Sequence, residues 1–143
     1  MTFPIDTNAE LYKFYGVPDR NADGSTDGRF EDENIVRIVP PYQMFLSWNQ
    51  MPVKTIRCHR KIQPYLLKAL QGIALHFSSA DIAKYELNQF GGCLCEPRAR
   101  RTSNRISLHS FGAAIDLAPV PNRLGRIYQQ DKNMMPMKAV EIF

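Results

Sequence analysis

One stretch of this chain limits what it can fold into more than any other. Ser107-Leu108-His109-Ser110-Phe111-Gly112-Ala113-Ala114-Ile115-Asp116 places a histidine and an aspartate seven positions apart, with small residues between and around them. A strand sends alternate side chains to opposite faces. If residues 113–118 form a strand, Ile115 and Leu117 anchor it in a core. Asp116 then stands on the other face beside Ala114 and Ala118, where bulk is absent. Gly112 allows a sharp turn between His109 and the strand. The two side chains can then converge, and imidazole and carboxylate are both good ligands for zinc.

The rest of the chain sets the frame. Its 143 residues suit one domain with its own core, and 44% hydrophobic content predicts a globular fold. A net charge of +4 favours anionic partners without naming one. No apolar run is long enough to span a membrane. Met1-Thr2-Phe3-Pro4-Ile5-Asp6 lacks the basic and hydrophobic regions of a Sec signal, so synthesis in the cytoplasm is expected.

Apolar spacing predicts a short helix over residues 8–15, with Leu11, Phe14 and Tyr15 on one side. It predicts a longer helix over residues 62–77, with Pro64 in its first turn. Strands are expected at residues 35–39, 53–58 and 93–95. Exposed loops are expected at residues 18–32 and 96–105, and turns at residues 91–92 and 119–125. Residues 136–143 start a final helix. It stops on Val140, Ile142 and Phe143 with no cap, which leads to the expectation of a truncated gene product.

Other residues have competing readings. Asp19-Arg20-Asn21-Ala22-Asp23-Gly24, with Asp27, matches the opening of a calcium loop. Its twelfth position is Phe30 where a glutamate is needed, so a polar surface loop is the other reading. Cys58, Cys93 and Cys95 are an odd count and do not suggest a disulfide framework. With His59 they could form a second metal site, or serve as small apolar residues. For His59 itself, at a strand-to-helix junction, a helix-start or core hydrogen-bonding role is the expectation ahead of metal ligation. Arg98, Arg100, Arg101 and Arg105 crowd one loop. They read as a solvated basic loop, as a phosphate-binding patch, or as the source of one arginine that holds a substrate carboxylate or developing oxyanion. No interleaved aromatics support nucleic acid as a partner.

The pattern Ser107-x-His109-x-x-Gly112-x-Ala114-x-Asp116 resembles the signature of the zinc D-alanyl-D-alanine carboxypeptidase and L-alanyl-D-glutamate endopeptidase family. That family includes phage endolysins and vancomycin-resistance dipeptidases. Phe90-Gly91-Gly92-Cys93, Pro97-Arg98 and Asp116-Leu117-Ala118-Pro119 with Asn122 extend the likeness. The resemblance implies an α+β fold, a small antiparallel sheet backed by helices, with residues 1–143 as one peptidase-like domain lacking its C-terminal part. It implies His109 and Asp116 as two of three ligands to one zinc ion. Arg98 matches the residue that orients substrate and stabilises charge on the scissile carbonyl, and Ser107 lines the substrate site. The implied activity is hydrolysis of a peptidoglycan stem-peptide bond at the cell wall.

The chain departs from that family after Asp116. No histidine follows to serve as third ligand, and the only later carboxylates, Asp131 and Glu141, sit in no matching motif. Weak zinc binding and little activity are therefore expected. A non-catalytic domain that binds wall peptides or a protein is the alternative.

Overall fold

A computed structural model describes residues 2–18, 28–95, 105–129 and 132–143. Along the chain run α1 (Asn8–Tyr15), α2 (Gly28–Asn34), β1 (Ile35–Ile38), β2 (Phe45–Leu46), β3 (Ile56–His59), α3 (Gln63–His76), α4 (Ser79–Lys84), β4 (Gln89–Gly92), β5 (Asp116–Leu117) and α5 (Met137–Ile142). A short 3-10 helix, Leu108–Phe111, precedes β5. The architecture is mixed α+β. No described helix is long and apolar enough to cross a membrane.

Helix α3 is the spine. Pro64 lies in its first turn, where a missing N–H is tolerated. Leu66 and Leu70 pack with Ile38, Met44, Ile56 and Phe90 in one cluster, while Ile73 packs with Ile82, Leu87 and Ala139 in another. A third cluster joins Leu11 and Tyr15 of α1 to Phe30, Ile106 and Phe111, with the half-buried Ile62 at its edge. Helix α1 starts where the Thr7 hydroxyl accepts the Glu10 N–H and ends at Gly16.

The sheet differs from the expected single antiparallel one. β1 and β3 pair antiparallel as two strands, and β2-β4-β5 form a separate sheet in which β2 and β4 run parallel. The reason lies in the connection. Between β2 and β4 the chain makes β3 and then crosses through α3 and α4, and a crossover of this kind returns a strand in the same direction.

Other boundaries also move. The expected loop at residues 18–32 gives way to helix from Gly28, because Phe30 reaches the core and is only 3% exposed. The twelfth position of the calcium pattern is thus a core aromatic; Asp19, Asp23 and Asp27 lie outside the described residues. The strand expected at residues 53–58 begins at Ile56. The turn expected at Gly91-Gly92 is strand β4, and the strand expected at residues 93–95 is the bend that follows it. Of the strand expected at residues 113–118, only Asp116–Leu117 pairs, because the backbone turns left-handed at Ala118 (φ 48°).

His59 is fully buried where these elements meet. Its Nδ1 accepts the Lys61 N–H at 3.1 Å, and its Nε2 lies 2.9 Å from the Tyr15 carbonyl. An amide can only donate and a carbonyl can only accept, so the ring is neutral with its hydrogen on Nε2. Burial is the main cause that pushes its pKa below the ordinary 6.5; the bond to Tyr15 opposes this, and Lys61 and Arg60 add to it. Below about pH 6.5 the unfolded chain binds a proton that the folded chain resists. Stability is therefore expected to be full above that pH and to fall as the pH drops beneath it. Urea midpoints across that range check this, and a His59→Gln protein should show a shallower decline.

Candidate functional site

His109 sits on the 3-10 helix, which Ser107 opens and Gly112 closes. The Ser107 hydroxyl accepts the His109 N–H at 3.3 Å, so its oxygen caps the turn that presents the imidazole. Gly112 adopts φ +66°, and its N–H returns to the His109 carbonyl. A side chain there would meet the His59 nitrogen at 3.0 Å and the Cys58 carbonyl carbon at 3.3 Å. Only a residue without Cβ meets both demands.

Asp116 is set by a bulge. Phe90 pairs with Leu117, but Gly92 pairs with Asp116, so Gly91 is an extra residue in β4. A Cβ at Gly91 would lie 2.8 Å from that of Asp116. Gly91 therefore lets the aspartate strand approach closely. Its role is close backbone contact within a sheet rather than a turn between strands.

These two devices bring His109 Nε2 and Asp116 Oδ1 to 3.4 Å, with the imidazole 23% and the carboxylate 55% exposed. The other ring nitrogen, Nδ1, lies 2.9 Å from the Cys93 carbonyl. That carbonyl can only accept, so Nδ1 carries a hydrogen and Nε2 is the atom turned to Asp116. A second bond runs the opposite way, from the Cys95 N–H to the His109 carbonyl at 3.0 Å. The end of β4 and the histidine turn are thus tied twice.

Beside Asp116 opens a groove of about 440 Å³, lined by Ile115, Leu117, Met135, Val140 and Phe143. Asn122 also borders it, but its side chain is engaged, donating to the Ala118 carbonyl and accepting the Met135 N–H. The groove is apolar and has the Asp116 carboxylate at its edge. Glu141 faces away from such a role, paired with Lys138 on α5.

Arg98, Arg100 and Arg101 lie outside the described residues, as does Asp131. Arg105 is described and pairs with Asp6 at 3.1 Å. The second metal site considered for Cys58, His59, Cys93 and Cys95 does not assemble. Both His59 nitrogens are taken by backbone, and Cys58 and Cys93 are buried. Among the described residues, no group of three or more His, Cys, Asp or Glu side chains gathers in a metal-binding arrangement.

Cys95 is the neighbour that residue spacing did not reveal. Burial raises its thiol pKa, and the Asp116 charge adds to that rise. Cys95 is the exposed cysteine, whereas burial pushes Cys58 up to about 11 and Cys93 up to about 12. The thiolate is the reactive form. One thiol per folded chain is therefore expected to react with a disulfide reagent, and three after urea unfolding. Mass mapping of the labelled peptide should find Cys95, and early labelling of Cys93 would contradict this placement.

No protein-family model, curated protein or solved structure matches this chain.

Proposed function

We propose that this chain carries two ligands of a zinc-dependent peptidoglycan peptidase site, His109 and Asp116. The observation that carries the reading is their convergence to 3.4 Å. That separation is long for a charge-assisted hydrogen bond. It suits two ligands of a common tetrahedral zinc, whose nitrogen and oxygen donors lie about 3.3–3.5 Å apart. A second support is the bond from His109 Nδ1 to the Cys93 carbonyl, since zinc-bound histidines ordinarily donate their other N–H in this way.

Within this reading, His109 and Asp116 would hold the ion, and the bond from Nδ1 to the Cys93 carbonyl turns Nε2 toward Asp116. Bound zinc supplies Lewis-acid polarisation of a carbonyl and lowers the pKa of a water. Arg98 is proposed to hold the developing oxyanion or a substrate carboxylate. Ser107 contributes by fixing the turn. The apolar groove beside Asp116 receives the part of the stem peptide that flanks the scissile bond. The DD-peptidase-like form of the α+β fold and action at the cell wall belong to the same proposal.

With two donors among the described residues, zinc binding is expected to be weak and hydrolysis slow. The deciding assay incubates the 143-residue chain with purified peptidoglycan and added zinc, and follows new amino termini and released D-alanine. Zinc-dependent release that is lost in Asp116→Asn supports the reading. Release unaffected by chelator overturns it.

The absence of a third donor among the described residues favours one other reading, a non-catalytic domain that binds wall peptides or a protein. Saturable binding of stem peptide without zinc and without cleavage is its mark.

A further inference from the structure

We propose that His59 is a positioning residue for the His109–Asp116 pair, acting through the Gly112 turn and Tyr15. The proposal rests on the reading of that pair as a ligand site, but its geometry can be tested without metal.

Three elements converge on His59. Its N–H donates to the Gly112 carbonyl at 2.9 Å, joining β3 to the residue that closes the His109 turn. Its Nε2–H donates to the Tyr15 carbonyl, joining β3 to the end of α1. The Tyr15 ring then lies 5.0 Å from the His59 ring and 5.4 Å from the Phe111 ring, and Phe111 is the last residue of the 3-10 helix. The turn is thus gripped from its closing carbonyl and from its final side chain, and both grips pass through one residue.

The ring has no freedom to turn. A flip would bring carbons to the Tyr15 carbonyl and the Lys61 N–H, leaving both unsatisfied in a fully buried place. The Gly112 turn lies against β3, held by the His59 N–H on its carbonyl, and leaves no room there even for a Cβ. Gly112 in turn donates to the carbonyls of His109 and Leu108. A change in the His59 ring therefore reaches the His109 turn through Tyr15, whose carbonyl it holds and whose ring packs on Phe111, while the backbone bond to Gly112 keeps β3 and the turn in register. Apolar rings of similar size would fill the space but supply neither the donor nor the acceptor.

The test compares two conservative variants. His59→Gln keeps a donor for the Tyr15 carbonyl; His59→Asn keeps an acceptor for the Lys61 N–H and gives up the Tyr15 bond. Long-range proton–nitrogen NMR of metal-free protein at neutral pH reads which nitrogen of His109 bears the hydrogen, and zinc titration gives the affinity. The wild type and His59→Gln are expected to show a single Nδ1–H form of His109 and zinc affinities within about twofold. His59→Asn is expected to show mixed tautomers at His109 and about tenfold weaker zinc binding, in the range of a lost supporting bond.

A folded His59→Asn protein with the wild-type His109 signature overturns the proposal and leaves His59 a packing residue. If that variant does not fold, Tyr15→Leu takes its place. It removes the ring between His59 and Phe111, keeps the His59 hydrogen bonds, and faces the same two outcomes. Failure of the zinc reading looks different: the wild type then binds no zinc, while the tautomer comparison still decides the role of His59.

Discussion

Replacing Gly112 with alanine is expected to destabilise the fold by about 3 kcal/mol. Two terms add. A left-handed backbone at a residue with a Cβ costs about 1–2 kcal/mol, and Gly112 has φ +66°. The new methyl would also press on the His59 nitrogen at 3.0 Å and the Cys58 carbonyl carbon at 3.3 Å. Both are backbone atoms of a paired strand and cannot rotate away, so overpacking adds about 1–3 kcal/mol. The drop in melting temperature should be on the order of 10 °C. Gly125 is the matched control. Its φ is +85° and a Cβ there meets nothing within 4 Å, so Gly125→Ala isolates the backbone term at about 1–2 kcal/mol. Urea unfolding of both variants measures the difference. Equal losses would remove the contact between the His109 turn and β3 as an explanation.

Zinc affinity is expected to fall more than about 100-fold in His109→Ala and in Asp116→Asn. Losing a supporting hydrogen bond around a metal ligand costs about 10- to 100-fold, so removing a ligand itself should exceed that range. Asp116→Asn is the sharper of the two, because it keeps the shape of a side chain that is already half-exposed and removes its charge. Ser107→Ala should cost no more than about tenfold, since Ser107 acts on the turn through one bond of 3.3 Å. Competition against a chromophoric chelator at fixed pH measures all three. Unchanged affinity in both ligand variants would sink the zinc assignment of this pair.

What the sequence revealed follows from how far each signal reaches. α1 was legible to its last residue because Leu11 and Tyr15 repeat at helical spacing behind the Thr7 cap. α3 was legible within a residue at each end for the same reason. α4 was missed although Ser78 and Asp81 mark its start, with the Ser78 hydroxyl accepting the Asp81 N–H. Six residues with one buried side chain, Ile82, are too few for periodicity to show. β2 and β5 are two residues each, which no alternation can expose. The parallel pairing of β2 with β4 depends on the path through α3 and α4, and residue types do not encode that path.

The site divides along a similar line. His109 and Asp116 were legible as a pair because their chemistry and the small residues around them are written in side chains. The Cys93 carbonyl that orients His109 was not, because any residue could offer a carbonyl there. The two glycines of β4 gave a true signal with the wrong reading. The missing Cβ of Gly91 makes room for Asp116 across a bulge, and Gly92 takes a φ of +143° beside Cys95. His59 was expected to serve either a helix start or core hydrogen bonding, and its two ring nitrogens bond the Tyr15 carbonyl and the Lys61 N–H.

The double tie between β4's end and the histidine turn also separates fold from variation. Cys95 donates to the His109 carbonyl, and His109 reaches back to the Cys93 carbonyl. Each tie uses a main-chain atom of the residues after β4, the Cys93 carbonyl and the Cys95 N–H. Side-chain replacement at Cys93 or Cys95 should therefore leave the His109–Asp116 pair standing, because the backbone atoms that tie the turn are kept.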